Sequence, residues 1–154
     1  AEKVGGLASK PVRVVPTRGI SEAVAALICY DPEASADSNA EAMAEASRSV
    51  VAGEVTRAVR DSTCDLGPIA EGQWIGIARD GIRSVETDLA DAVVALLGAL
   101  LTDDHEIVTL IEGEGASAAS TRRVTEWLAE NHPDVEHEIH HGGQPLYPYY
   151  VGIE

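Results

Sequence analysis

The chain has no phenylalanine, one methionine, two tryptophans and two cysteines. A core without phenylalanine must be assembled from Ala, Val, Leu and Ile, and a hydrophobic content of 45% supplies enough of them to make disorder a poor description. Cys29 and Cys64 stand far apart and belong to no paired motif, so a disulfide framework is excluded and free thiols in a reducing compartment are expected. The sequence also lacks any run of about 18 uncharged apolar residues and any recognisable signal peptide, which argues against membrane insertion and for a cytoplasmic protein. It begins at Ala1 without an initiating Met, so a mature form or a piece of a longer protein is expected.

Positive charge is scarce: 11 basic residues face 26 acidic ones, a formal net charge of -15. Between residues 101 and 154, only Arg122 and Arg123 oppose 11 acids. Phosphate backbones need clustered cations, so nucleic acid is excluded as a partner for that half, and acidic membrane surfaces are disfavoured for the same reason. The excess charge serves solubility. A length of 154 residues fits one domain, able to bury roughly 70% of its unfolded surface.

The most prescriptive stretch lies near the end, His140-His141-Gly142-Gly143-Gln144-Pro145-Leu146-Tyr147-Pro148, followed by Tyr149-Tyr150-Val151-Gly152-Ile153. Paired glycines permit positive φ or close approach, and prolines fix φ and withhold donors, so an unusual rigid turn feeds a terminal strand. Two readings stay open: the turn presents side chains at a sheet end, or a tyrosine-rich strand merely packs.

In chain order, Ala1–Ser9 reads as weakly helical, interrupted by Gly5-Gly6. Pro11–Pro16 reads as a short strand and Thr17-Arg18-Gly19 as a turn. Ser21 is expected to cap a helix carrying Val24, Leu27 and Ile28 and ending at Asp31-Pro32. Ser38 and Glu41 have capping-box spacing before a helix with Met43, Ala44, Ser47, Val50 and Val51 on one face, stopped by Gly53. Glu54–Arg60 alternates as a strand. Gly72–Ala78, Arg79-Asp80-Gly81 and Ile82–Val85 read as a hairpin. Asp88–Leu101 is the strongest helix, with Leu89, Val93, Leu96, Leu97 and Leu100 in one stripe. Strand Glu106–Ile111, helix Ser117–His132 and strands Val135–His140 and Tyr149–Ile153 follow. The alternation indicates an α/β fold, a mainly parallel sheet flanked by helices with a small β-hairpin at an edge.

Several clusters invite a chemical reading. Gly113-Glu114-Gly115 lies between a strand and a helix, but its acids repel phosphate and the further glycine and Lys-Ser or Lys-Thr ending are missing. His137, His140 and His141 lie among acids, yet strand alternation sets His140 on the face opposite the other two, so no metal site is expected. Arg57, Arg60 and Asp61-Ser62-Thr63 could bind an anion or a carboxylate, or pair on the surface. Ser62, Thr63, Cys29 and Cys64 have no adjacent histidine, so no catalytic residue is nominated.

Val14-Val15-Pro16-Thr17, Ala25-Ala26-Leu27, Asp31-Pro32-Glu33-Ala34-Ser35, Gly53-Glu54-Val55-Thr56, Ala58–Thr63, Gly76-Ile77 and Gly142-Gly143-Gln144-Pro145-Leu146-Tyr147 occur in that order. Together they resemble the C-terminal domain of the bacterial DAK/DhaL-related family, to which the kinase component of fatty acid kinase belongs. The resemblance implies a DegV-like fold and a single C-terminal domain over residues 1–154. It further implies a parent kinase whose DhaL-type N-terminal domain holds ATP and magnesium and phosphorylates a fatty acid presented by a DegV-like subunit, giving an acyl phosphate for phospholipid synthesis. No DhaL segment is recognisable here, so the resemblance implies a non-catalytic piece without cofactors of its own. Of an earlier strand and helix, only a helix tail at Ala1–Leu7 remains.

The expected partners are therefore the N-terminal DhaL-type domain and the DegV-like fatty-acid-binding subunit, with homo-oligomerisation left open. Thr17, Arg18, Arg60, Asp61, Gly142, Gly143, Gln144 and Tyr147 are the candidate partner-binding residues. The alternative is a domain that holds a fatty acid itself, against which stands the small supply of large apolar side chains.

Overall fold

Prolines at both ends of Pro11–Pro16 remove two amide donors from a six-residue stretch, and no ladder forms there. The strand expected at this point is corrected to extended chain running through residue 17. The structure is a computed structural model that describes residues 9–154, so the helix tail expected at the N-terminus lies outside the described residues. The chain divides into two units, residues 1–50 and 51–154.

The first unit contains helices α1 (Ile20–Ile28) and α2 (Ala36–Ser49). Gly19, not Ser21, occupies the N-cap of α1, and Glu22 reaches back so that its Oε2 accepts from the amides of Arg18 at 2.6 Å and Gly19 at 3.4 Å. Ser35, not Ser38, caps α2 by accepting from the Ser38 amide. The intervening turn is held by Asn39, whose side chain accepts from Asp31 N at 2.8 Å and donates to Asp31 O at 2.7 Å. α1 buries Ser21, Glu22, Ala25 and Ala26, whereas Val24, Leu27 and Ile28 are exposed.

The second unit holds strands β1 (Val51–Arg57), β2 (Ser62–Cys64), β3 (Gly67–Ile69), β4 (Trp74–Ala78), β5 (Gly81–Glu86), β6 (Ile107–Glu112), β7 (Glu136–His141) and β8 (Tyr149–Ile153). Helices α3 (Leu89–Leu100) and α4 (Ala118–Asn131) complete it. β2 and β3 pair only with each other; the other six form one sheet in the order β5-β4-β1-β8-β6-β7. Four of its five pairings are antiparallel, and only β6 with β7 is parallel. The expected mainly parallel sheet is thereby corrected to a mainly antiparallel one. Parallel neighbours need a crossover, and only β6-α4-β7 supplies one between adjacent strands. The strand order lends no support to the DegV-like expectation.

The Arg79-Asp80 hairpin forms as read, with Gly81 at φ 127° and a bulge at Gly76/Ile77. Gly53 does not stop α2 but lies inside β1, where a Cβ would stand 3.1 Å from Leu96 Cδ2 and 3.3 Å from Leu100 Cδ1. β1 therefore starts earlier than expected and ends at Arg57, leaving Val59 and Arg60 exposed. Asp88 caps α3 by accepting from Ala90 N and Asp91 N, and the stripe read from the sequence does enter the core. Val93, Leu96 and Leu97 meet Val55, Val108, Leu110, Val151 and Ile153 from the sheet, together with Val124 and Leu128 of α4. Both helices lie on one face of the sheet. β6 is covered by helices on that face only, with Val108 and Leu110 inward and Ile107, Thr109 and Ile111 on the other side. Among the described residues no helix is long and apolar enough to cross a membrane.

Candidate functional site

The glycine- and proline-rich turn joins β7 to β8, but β8 does not pair with β7; the chain passes over the end of β6 and enters between β6 and β1. Gln144 makes this path possible. Its Nε2 donates to Ile111 O at 3.0 Å and to Tyr147 O at 3.1 Å, tying the turn to the end of β6. Gly142 must lack a side chain, since a Cβ would collide with the Gln144 carboxamide and stand 2.7 Å from Ile111 Cγ2. Gly143 adopts φ 65°, as does Leu146 at φ 70°, a left-handed conformation that costs a residue with a Cβ free energy. Leu146 is 77% exposed despite that strain. Its carbonyl accepts from Thr56 Oγ1 at 2.7 Å, which pins the turn to β1.

Gly113-Glu114-Gly115 is part of the same assembly. Gly113 N donates to Pro148 O at 2.9 Å and Glu114 N to Gln144 O at 2.8 Å, and a Cβ on Gly113 would strike the Gln144 and Tyr147 carbonyls. Amides spent on the turn are not free to cradle phosphate, so this loop is a structural seat for the turn.

Below it, Tyr149 is fully buried and its hydroxyl lies 2.7 Å from Thr121 Oγ1 and 2.9 Å from Ser120 Oγ. Thr121 donates to Glu112, whose other oxygen lies 2.6 Å from His141 Nδ1. This chain of polar groups joins β6, β7, β8 and α4, and residue type alone marks only Glu112 and His141 in it. A groove of about 770 Å³ opens beside it, lined by Glu112, Ser117, Thr121, Arg122, Ile139 and His141 among others. His137 and His141 share the helical side of β7 and His140 the other, following the register with Val108, Glu112 and Ile111. No group of three metal-ligating side chains occurs among the described residues.

The candidate partner-binding residues fall in both units. Thr17 and Arg18 are exposed just ahead of α1 in the first. In the second, Arg60 and Asp61 are exposed beyond β1, where Asp61 Oδ1 accepts from Glu71 N at 2.7 Å. Gly142, Gly143, Gln144 and Tyr147 share the turn. Gln144 is occupied within it, whereas Tyr147 is partly exposed and stacks on Tyr150 with ring centroids 5.3 Å apart. Leu146 escapes a reading of the sequence, since nothing in its residue type signals a positive φ.

The family model of the fatty acid kinase C-terminal domain, FakA-like, matches residues 1–154. Uncharacterized proteins of Staphylococcus aureus strain MRSA252 and Staphylococcus epidermidis strain ATCC 12228 are each 36% identical over all 154 residues. The chain spans 28% of the length of each relative. It belongs to the FakA-like C-terminal family of fatty acid kinase.

Proposed function

We propose that this chain is a non-catalytic, fatty acid kinase-associated domain that docks the fatty-acid-binding, DegV-like subunit, so that a kinase domain elsewhere can form the acyl phosphate. Family membership and the β7–β8 turn support the reading. The observation that carries it is an exposed leucine held at positive φ beside a stacked tyrosine pair, on a turn locked by Gln144. Rigid apolar and amphipathic side chains presented without ordering cost are what an interface uses. ATP and magnesium belong to the kinase domain in this reading, and Thr17, Arg18, Arg60 and Asp61 contribute polar contacts at the rim.

Direct fatty acid binding is the weaker reading. The groove beside α4 is lined by Glu112, Arg122, His141 and hydroxyl side chains, a poor environment for an acyl chain. The test is binding of the purified fatty-acid-binding subunit, measured by calorimetry together with thermal melting of the chain. Tyr147→Ala is expected to weaken binding more than it lowers the Tm, while Gly143→Val harms both because of its φ of 65°. A Tyr147→Ala chain that loses stability, but whose folded fraction binds normally, would make Tyr147 a packing residue and sink the proposal.

A further inference from the structure

The sheet carries helices on one face only. On the other face, the ladder aligns one residue from each strand in a row: Ile82, Ile77, Glu54, Tyr150, Ile111 and His140. Ile75, Val85 and Ile107 point the same way, and none of these aliphatic residues packs against the core under the helices. No helix of this unit covers them, and they remain partly exposed. The next row, Ala52, Gly152 and Thr109, is small, so the tall row borders a shallow trough. The β7–β8 turn closes one end, with Tyr147 stacked on Tyr150. An aliphatic and tyrosine-rich surface of this extent on one side of an antiparallel sheet departs from the polar outer face such sheets usually show.

Glu54 stands near the middle of it. Among the described residues it makes no ion pair, and desolvation alone holds its carboxyl above the usual range. Burial, then the same carboxylate, pushes the Tyr150 hydroxyl upward. A lone acid in an apolar field sets the chemistry of whatever covers it: the occupant must bring a cation, or leave a charge buried and unpaired. A second copy of this chain fits badly. Glu54 lies on β1, one of the two central strands, so a twofold axis through the middle of the face brings two carboxylates together, on chains that each carry -15. A cationic partner is instead steered toward that charge.

Resting on the docking reading above, we infer that the helix-free face of the sheet is the surface on which the partner subunit seats, through an aliphatic patch carrying a lysine or arginine that pairs with Glu54.

The test uses the full chain, with the purified fatty-acid-binding subunit serving as probe. Glu54→Lys is expected to raise the Kd about ten-fold or more, while Glu130→Lys, the same charge change on the exposed side of α4, leaves it unchanged. A charge-reversed lysine or arginine on the probe should restore binding to Glu54→Lys. Hydroxyl-radical footprinting of the unaltered chain is independent of how the variant folds, and should show Tyr147 and Tyr150 protected in the complex. Tight binding by Glu54→Lys with both tyrosines still labelled overturns this inference and leaves docking elsewhere on the chain standing. An unaltered chain that does not bind overturns the docking reading and this inference with it. Self-association relieved by Ile77→Asp would assign the face to a second copy and also overturn it.

Discussion

α1 and α3 are written in nearly the same alphabet, alanine with valine, leucine and isoleucine, yet they bury opposite kinds of residue. α3 turns Val93, Leu96 and Leu97 into the core with none of their surface exposed. α1 keeps Ala25, Ala26, Ser21 and Glu22 inside and leaves Leu27 66% and Ile28 78% exposed. Small residues let α1 approach α2 closely, and Glu22 must stay inward to hold the Arg18 and Gly19 amides. Periodicity finds a helix; the neighbour's distance decides which stripe it buries.

The widest test of this contrast is truncation. Leu96→Ala is expected to cost about 2–5 kcal/mol in urea unfolding, and Leu27→Ala no more than about 0.5 kcal/mol. Equal costs would mean that the outer stripe of α1 is as well covered as the core. Two glycines sharpen the comparison within the second unit. A Cβ on Gly76 would collide with Ser84 Oγ and stand 3.0 Å from Leu96 Cβ, so Gly76→Ala should destabilise by about 1–3 kcal/mol. Gly98 of α3 has only Trp127 at 3.8 Å, and Gly98→Ala should stabilise by about 0.5–1 kcal/mol.

The caps differ as well. Asp88 accepts from two amides of α3, and Asp88→Ala should cost about 1 kcal/mol. The Asp91 amide, then Arg123, holds the Asp88 carboxyl below its ordinary range. Its contribution is therefore complete above the unfolded pKa of about 3.9 and lost as pH falls through the lower folded value, a loss that Asp88→Asn should blunt in acid melts. The smallest effect belongs to Glu54, whose sign is reversed. A carboxyl raised in the folded state favours folding when protonated, and that advantage fades as pH rises through its folded pKa. Glu54→Gln should raise the Tm slightly at pH 7 and leave it unchanged in acid; a lower Tm at pH 7 would show that Glu54 has a stabilising partner.

Local signals are legible where one residue decides the outcome. The Asp80-Gly81 hairpin, the α3 stripe, Ser117 ahead of α4 and the terminal strand Tyr149–Ile153 all follow from spacing. Gly53 misleads because a glycine demanded by Leu96 and Leu100 across space looks, in one dimension, like a helix stop. Sheet direction is illegible for a similar reason. One β-α-β crossover is present, but the choice of β8 to enter between β1 and β6 is made by the Gln144 turn and the burial of Tyr149. At the site, the unusual path of Gly142–Tyr147 is visible in its glycines and prolines. The seating of that path on Gly113, and the chain of groups from His141 to Tyr149, depend on neighbours 9 to 33 residues apart in sequence.

The placement of β8 also bears on the order in which the chain can fold during synthesis. β1, β4 and β5 form one ladder and β6 with β7 another, and only β8 bonds the two together. A ribosome that has finished β7 has made both halves without the strand that joins them, so Val55 and Leu110 cannot yet share a core. Closure of this sheet waits for Tyr149–Ile153 to clear the exit tunnel, and until then each half displays a sticky open edge to whatever chaperone is at hand.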